Sequence, residues 1–378
     1  MPAKRYLVTP GPTPVPPEVV AAMSAPMLHH RGPEFQAIAD RVRARLGDVL
    51  QTAGDVLLFA SSGTGAMEAA VVNLCSPGDR VLVASAGRFG ERWASIARSY
   101  GLDVVHLRYA WGEALIPGEI AARLEEAGGV HAVYVTHSET STGVVHDVRA
   151  IAERVAGSGA FLVVDAVSSL GAVPLETDAW GLDIVVSGSQ KALMTPPGLA
   201  FSSVSAAAKA ASATAGLPRF SLDWGRAGSF GSTPAVSLVM GLDAALELLL
   251  GEGLEAAFDR HRRLGRACRA GAKAMGLELF SPDEDRSAVV TAIRVPAGID
   301  GKAVVRSMRE RSGVTAGGGQ GELAGQIVRI GHIGHISVSD VTAALAALEL
   351  ELAAAGADVE RGVAVRAALA AHSDPVRA

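Results

Sequence analysis

The chain has 378 residues, of which 49% are hydrophobic, 19% charged and 4% aromatic, and its formal net charge is −5. This composition supports a sizeable buried core and excludes a disordered chain, while the acidic balance and scarce aromatic side chains argue against a nucleic-acid partner. With two distant cysteines and no apolar run of about 18 residues, the sequence predicts a cytoplasmic protein without a disulfide framework or a membrane span.

Short apolar runs alternate with longer amphipathic segments through the first two-thirds of the chain. Runs rich in β-branched residues predict strands buried on both faces, and the segments between them have helical periodicity. This alternation predicts an α/β fold with a mostly parallel, doubly wound sheet and right-handed crossovers. The predicted strands are 56–59, 80–83, 104–107, 132–135, 161–164, 184–186 and 200–204, and the predicted helices are 65–74, 89–100, 117–126 and 148–156.

The pattern changes near residue 250 and predicts a smaller α+β domain. We therefore expect a large domain over 16–250, a small C-terminal domain over 251–355 and a fraying, alanine-rich tail over 356–378. The small domain is predicted to contain helices over 252–275, 302–311 and 338–354, strands over 288–295 and 327–330, a glycine-rich turn at 317–319 and a capping box of Ser337 with Asp340.

A turn of small residues follows the first strongly predicted strand and opens a helix at 61–68. Small residues let a ligand approach the backbone, and a helix N-terminus offers unpaired N–H groups, so this turn predicts a phosphate site. An ordinary capped turn is the alternative. The segment has neither the spacing of a dinucleotide fingerprint nor the lysine of a P-loop.

Two chemically reactive side chains follow later strands. Asp165 ends one apolar run, and Lys191 comes shortly after the next, at the sheet edge where open α/β sheets bind ligands. A pyridoxal phosphate enzyme needs both groups: the amine holds the aldehyde as a Schiff base, and the carboxylate keeps the pyridine nitrogen protonated. A single lysine is otherwise most often a solvated surface residue.

Three further features fit the same edge. Phe89 could stack on a flat ring or anchor the core, and the hydroxyl-rich stretch 136–143 could bind a phenolic oxygen or complete a turn. Arg329 lies within an apolar strand, where its guanidinium could grip a substrate carboxylate or form a structural salt bridge.

Together these motifs resemble the class V (fold type I) pyridoxal phosphate aminotransferases, and most closely the alanine–glyoxylate/serine–pyruvate group. The resemblance runs from 9–12 to about Leu350. Its most specific parts are 187–191 with 196–198, 138–143, and 318–322 leading into 329–332. It implies a large domain that binds pyridoxal 5′-phosphate, an N-terminal segment (1–15) that lines the site, and a homodimer with shared active sites; no metal is expected.

The resemblance also implies roles for individual residues. Lys191 is the Schiff-base lysine, Asp165 binds the pyridine nitrogen, and small amino acids and oxo acids are the substrates. Relatives commonly carry a tyrosine where this chain has Phe230 and Ser232, which leaves one phosphate contact in question. The remaining cofactor contacts are Ser62, Gly63, Thr64 and Gln190 around the phosphate, Phe89 and Val167 on the ring faces, Thr140 at the phenolic oxygen and Thr233 from a second subunit, and the substrate contacts are Arg329, Gly11 and His30.

We therefore expect transamination between a small L-amino acid, alanine or serine, and a 2-oxo acid such as glyoxylate or pyruvate. Aspartate is an alternative donor, since Arg31, Arg88 or Arg226 could bind its second carboxylate. Two alternatives belong to other classes. A cysteine desulfurase of the same fold needs a nucleophilic cysteine, which the loop 315–321 lacks, and a non-catalytic accessory subunit would not need both Lys191 and Asp165.

Overall fold

The computed structural model describes residues 4–227, 233–281 and 287–373. No helix among them is both long and apolar enough to cross a membrane. The strands are β1 (Tyr6–Leu7), β2 (Asp55–Phe59), β3 (Arg80–Ser85), β4 (Asp103–Arg108), β5 (Ala132–Thr136), β6 (Ser138–Glu139), β7 (Val144–Val145), β8 (Phe161–Asp165), β9 (Ile184–Gly188), β10 (Ala200–Val204), β11 (Val290–Arg294), β12 (Val314–Thr315), β13 (Gly317–Gly318) and β14 (Ile327–Gly331). The helices are α1 (Pro17–Met23), α2 (Pro33–Leu50), α3 (Gly63–Leu74), α4 (Arg88–Ser99), α5 (Pro117–Glu126), α6 (Val148–Val155), α7 (Ala206–Ala211), α8 (Trp224–Ala227), α9 (Val236–Glu252), α10 (Leu254–Ala274), α11 (Gly301–Glu310), α12 (Val338–Ala354) and α13 (Val363–Ser373).

Seven strands form the central sheet in the order β2-β10-β9-β8-β5-β3-β4. Strands β3, β4, β5, β8 and β9 pair in parallel, whereas β10 runs antiparallel to both of its neighbours. The predicted mostly parallel, doubly wound sheet is confirmed. One strand differs from its prediction: β4 is half-buried rather than buried on both faces, because it lies at the edge of the sheet.

Side chains of the central strands point alternately into two apolar layers. Leu82 and Val133 pack with helices α2, α5, α6 and α9, whereas Val83 and Tyr134 pack with α3 and α4. Because helices cover both faces, these strands are continuous apolar runs, which is why the sequence alone reveals them.

A second sheet, β11-β14-β13, is antiparallel and three-stranded. It packs with α10, α11, α12 and α13 around a separate apolar cluster. Strand β1 pairs in parallel with β12, and Val8 joins the same cluster. The N-terminal segment is therefore attached to the C-terminal part of the chain.

Several C-terminal elements differ from their predictions. The helix expected over 252–275 begins after Gly253, whose φ of 89° separates it from α9. The sequence pattern does not reveal α9, because this helix is apolar on most of its faces. The expected turn at 317–319 contains strand β13, which pairs with β14. Instead of a fraying tail, α13 packs against α10 and α12 and buries Ala364 and Ala368.

Candidate active site

Six of the seven strands of the central sheet, all but β10, end at one edge, and five of them lead to predicted site residues. Asp165 is the last residue of β8, and the turns after β2, β3, β5 and β9 lead to Thr64, Phe89, Thr140 and Lys191, respectively. Since these strands share one direction, their carboxyl ends meet at this edge, where open α/β sheets bind ligands.

Lys191 directs its amine toward the N-terminal segment. Its Nζ donates to the carbonyl of Pro10 at 2.9 Å, and the hydroxyl of Thr13 donates to the Lys191 carbonyl at 2.7 Å. Gly11 lies against the amine, since a Cβ there would stand 2.4 Å from Nζ. A side chain at this position would displace the lysine, so the structure brings Gly11 and Lys191 together.

The surroundings of Lys191 shift the pKa of its amine. Burial lowers the pKa of Lys191 to about 8; the nearby Asp165 carboxylate opposes this shift, and the positive charges of Arg329 and Arg92 add to it. The amine is therefore close to its titration point near neutral pH.

Asp165 is the buried last residue of β8. Its Oδ1 accepts the N–H of Val167 at 2.8 Å, and Oδ2 accepts no hydrogen bond within the described ranges. Burial raises the pKa of Asp165 to about 6, and Glu139 raises it further, while Val167, Arg92 and Lys191 counteract the shift. Both Asp165 and Lys191 are therefore mainly charged at pH 7.

Helix α3 begins beside the turn that carries Gln190. Ser62, its N-cap, is exposed and makes no side-chain cap; the N–H of Gly65 donates to the Ser62 carbonyl at 2.8 Å, and those of Gly63 and Thr64 remain available. Val167 packs on Gly63, where a Cβ would stand 2.6 Å from Val167 Cγ2. Gln190 Oε1 is buried without a hydrogen-bond partner. A Cβ placed on Gly188 would stand 3.0 Å from Gln190 Oε1 and 3.5 Å from the backbone nitrogen of Gly63. The amide and the helix N-terminus thus converge.

Phe89 lies in the first turn of α4 and is partly exposed, so it is not a core anchor. The Arg92 guanidinium carbon stands 4.8 Å from the centre of the Phe89 ring. Arg92 Nη1 also donates to the hydroxyl of Thr64 at 3.0 Å. This arginine connects the turns after β2 and β3 and adds a positive charge beside the α3 N-terminus.

Glu139 is a fully buried carboxylate between these turns. Its Oε2 accepts the N–H groups of Phe89 and Gly90, each at 2.9 Å. Its Oε1 accepts the N–H of Ser141 at 3.2 Å and the Ser141 hydroxyl at 2.5 Å. Burial raises the pKa of Glu139, and these four hydrogen bonds oppose the rise.

Arg329 reaches the site from β14 and is only 6% exposed. Its Nε donates to the carbonyl of Gly318 at 2.9 Å, and its Nη1 donates to the carbonyl of Thr140 at 2.7 Å. No carboxylate of the described residues pairs with it, so the alternative of a structural salt bridge is wrong. Burial lowers the pKa of Arg329 to about 10; Glu139 opposes this shift and Arg88 adds to it.

Two predicted residues lie away from Lys191 in the single chain. Thr233 is exposed, and it lines a surface groove with His30. We call this feature the 30/233 groove; its lining consists of residues 27–30 and 233–238. The roles predicted for both residues concern a shared site in a dimer, which one chain does not display. Phe230 and Ser232, which stand where relatives commonly carry a tyrosine, lie outside the described residues.

The assembled groups fit pyridoxal phosphate. The buried amine of Lys191 matches an aldehyde, and the free oxygen of Asp165 matches a protonated ring nitrogen. The uncapped α3 N-terminus and the Arg92 guanidinium match a phosphate, and Gln190 could add the N–H groups of its amide. Phe89 and Val167 offer faces to a flat ring. The residues present are therefore of the types that this cofactor requires.

Two residues of this site are not predicted from the sequence. Arg92 follows Phe89 by three residues, and this spacing puts both on one side of a helix, so it is a signal that could have revealed the arginine. Glu139 falls inside the hydroxyl-rich stretch 136–143. Nothing in a single sequence indicates that its carboxylate turns inward.

Comparison with known protein families identifies one match. A family model described as aminotransferase class-V matches residues 5–332. Among solved structures, ureidoglycine–glyoxylate aminotransferase from Bacillus subtilis superposes with a TM-score of 0.93 at 31% identity and covers 99% of both chains.

Curated relatives carry two kinds of name. The soluble hydrogenase small subunit of Synechococcus is 45% identical over 93% of this chain and 94% of that protein. The L-aspartate–glyoxylate aminotransferase of Paracoccus denitrificans is 38% identical, and the serine–glyoxylate aminotransferase of Methylorubrum extorquens is 36% identical. Each of these two matches covers 97% of this chain and 96% of the relative.

Proposed function

This chain belongs to the class V aminotransferases, and we propose that it moves an amino group between alanine or serine and a 2-oxo acid such as glyoxylate or pyruvate. The observation that carries the proposal is the buried amine of Lys191, whose pKa is influenced by both Asp165 and Arg329. The relatives named for glyoxylate support this acceptor.

Pyridoxal phosphate, when bound, supplies an aldehyde that condenses with amines and a ring that withdraws electrons from the neighbouring carbon. We propose that Lys191 holds the aldehyde and Asp165 the pyridine nitrogen. The other proposed contacts are Ser62, Gly63, Thr64 and Gln190 to the phosphate, with Thr233 of the partner subunit, Phe89 and Val167 to the ring, and Thr140 to the phenolic oxygen.

Three side chains of this chain have separate roles in the proposed reaction. With a pKa of about 8, Lys191 Nζ exists both as an amine and as an ammonium ion near neutral pH, so it can take a proton from the substrate Cα as a general base and later release it to a different atom as a general acid. Arg329 binds the substrate carboxylate and fixes its orientation. Asp165 stays ionised above about pH 6 and stabilises positive charge at the ring.

We propose a homodimer in which the 30/233 groove of one chain completes the site of the other. Two observations support this: Thr233 is exposed, and Met27 is 70% exposed. A partner would cover the apolar side chain of Met27. A monomer in sedimentation at assay concentration would contradict shared sites.

Aspartate is the alternative donor, and Arg88 is the best-supported cation for its second carboxylate. Arg88 is exposed at the start of α4, and its charge contributes to the lowered pKa of Arg329. Arg226 instead stands 4.2 Å from the ring centre of Phe220. Arg31 comes directly after residues 27–30 of the 30/233 groove.

The two cysteines do not support a lyase or a hydrogenase. Burial raises the pKa of Cys75 to about 12 and that of Cys268 to about 11, so neither provides the thiolate that a cysteine desulfurase needs. Iron–sulfur clusters commonly take four cysteine thiolates, and this chain contains two cysteines, in separate apolar clusters. The chain itself therefore lacks that ligand set.

The first test is the visible absorbance of the protein reconstituted with pyridoxal phosphate. We expect a yellow band that L-alanine or L-serine bleaches and that glyoxylate restores; testing L-aspartate alone ranks the alternative donor. Lys191→Ala should abolish the band, whereas the control Lys209→Ala, at an exposed lysine paired with Asp55, should keep it. A band that no amino acid bleaches would contradict transamination but not cofactor binding.

Arg329→Gln should lower kcat/KM for every carboxylate substrate, because a buried charge-assisted pair is lost. The expected loss is about 2–4 kcal/mol, or roughly 30- to 1000-fold. Arg294→Gln on neighbouring β11 is the matched control, since Arg294 is exposed and stands over Phe280. Unchanged kcat/KM in Arg329→Gln would exclude the carboxylate-binding role.

A further inference from the structure

Glu139 has no assigned contact with cofactor or substrate, yet its carboxylate binds groups from two turns of the site. We propose that Glu139 is a positioning residue, which holds the ring-stacking Phe89 and the arginine-binding Thr140 in place together. This inference rests on the proposed function, because Phe89 and Arg329 receive their roles there.

The first half of the evidence is at helix α4. Its N-cap, Gly87, has no side chain, so the orphan N–H groups of the first turn need an acceptor from elsewhere. Glu139 supplies it from β6 by accepting from Phe89 and Gly90. The contact is close, since a Cβ on Gly87 would stand 2.5 Å from Glu139 Cγ. The carboxylate therefore fixes the helical turn that carries the Phe89 ring.

The second half of the evidence is in the loop after β6. Glu139 accepts both donors of Ser141, and the Ser141 hydroxyl in turn accepts the N–H of Arg88 at 3.1 Å. The Glu139 carbonyl closes the loop by accepting the N–H of Gly143 at 2.9 Å. Thr140 lies within this hydrogen-bonded loop, so its carbonyl is held where Arg329 binds it.

The charge of Glu139 separates this role from simple packing. Both carboxylate oxygens accept, and all four partners are donors, as expected for the ionised form. The negative charge also raises the pKa of Arg329 and of Asp165. An isosteric amide keeps the shape but loses the charge, and it directs an NH₂ group at donors.

The test compares Glu139→Gln with Asp300→Asn. Asp300 is the N-cap of α11 and accepts the N–H groups of Lys302 and Ala303 at 2.9 and 3.2 Å, so it is a helix-capping carboxylate outside the site. We expect the larger loss of melting temperature in the Glu139→Gln apoprotein, because Glu139 is fully buried and Asp300 is exposed. Only Glu139→Gln should raise the Kd of pyridoxal phosphate, by about tenfold or more, and weaken the visible circular dichroism of the bound cofactor.

A second variant keeps the test decisive if Glu139→Gln does not fold. Ser141→Ala retains the carboxylate but removes one donor, so it should shift the Kd and the dichroism in the same direction by a smaller factor. If the wild type transaminates while both site variants bind the cofactor like Asp300→Asn, the positioning role is overturned and the proposed function stands. A wild type that neither binds the cofactor nor transaminates would overturn both.

Discussion

Two buried groups of opposite charge, Lys191 and Asp165, dominate the site at the scale of single residues. Burial disfavours both charges, which lowers the pKa of Lys191 to about 8 and raises that of Asp165 to about 6. Their mutual attraction limits both shifts. A proton can therefore be exchanged at Lys191 near neutral pH while Asp165 stays ionised.

The pKa of Lys191 predicts how the apoprotein captures pyridoxal phosphate. Because the neutral amine is the nucleophile, the capture rate should rise about tenfold per pH unit at low pH and level off above a pH of about 8. Stopped-flow absorbance measures this rate directly.

Asp165→Asn provides the matched comparison for that profile. The carboxylate raises the pKa of Lys191, so its removal should lower this pKa and move the plateau to lower pH. A plateau at the same pH in the variant and the wild type would mean that the two charges are not coupled.

At the scale of elements, two helices direct their N-termini to the same sheet edge but use them differently. The N-terminus of α4 is occupied by the Glu139 carboxylate. The N-terminus of α3 has no side-chain cap and meets the Gln190 amide. Since a helix N-terminus favours an anion, α3 is the one left for a phosphate.

Helix α12 offers an element-scale prediction that is independent of the site. Its predicted bounds and capping box are confirmed: the Ser337 side chain accepts from the Asp340 N–H, and Asp340 Oδ2 accepts the Ser337 N–H at 2.8 Å. Ser337→Ala should lower the free energy of unfolding by about 1 kcal/mol, as measured by urea denaturation. The exposed control Ser339→Ala should change it by less than about 0.5 kcal/mol; equal losses would contradict the capping role.

At the scale of the whole molecule, the site forms where the two sheets meet. Arg329 extends from the second sheet to the Thr140 carbonyl beside the first. The N-terminal segment also joins them, since β1 pairs with β12 and the Pro10 carbonyl accepts from Lys191. The substrate-binding geometry therefore depends on how the two sheets are held together.

A buried histidine near this junction should make the stability of the fold sensitive to acid. His332 Nδ1 donates to the Ala288 carbonyl at 3.1 Å, so its Nε2 accepts the Thr291 hydroxyl at 3.0 Å. Burial lowers the pKa of His332 to about 3. Because the unfolded residue titrates near pH ~6.5, the folded state loses about 1.4 kcal/mol per pH unit below that value.

His332→Gln tests this linkage. The variant should be less stable than the wild type at about pH 7.5, and the difference in Tm should shrink toward about pH 5, since only the wild type loses this contribution. A difference in Tm that stays constant across this range would show that His332 is not protonated on unfolding.

The alternating architecture and the positions of the reactive groups can be predicted from the amino-acid sequence. Continuous β-branched runs are recognisable because helices cover both sheet faces, and parallel strands place the groups after their carboxyl ends at one edge. Lys191, Asp165 and Arg329 are conspicuous because charged residues are rare beside or within such runs. These are local properties, which periodicity and residue type record.

Which distant residues meet, by contrast, becomes visible in the folded chain. Glu139 caps a helix fifty residues earlier in the chain, and Arg329 binds the carbonyl of a residue 189 positions away. The apolar helix α9 also packs against residues that are remote in sequence. Local patterns record how a segment is buried, whereas the partner of a buried charge depends on strand order and on the packing of one sheet against the other.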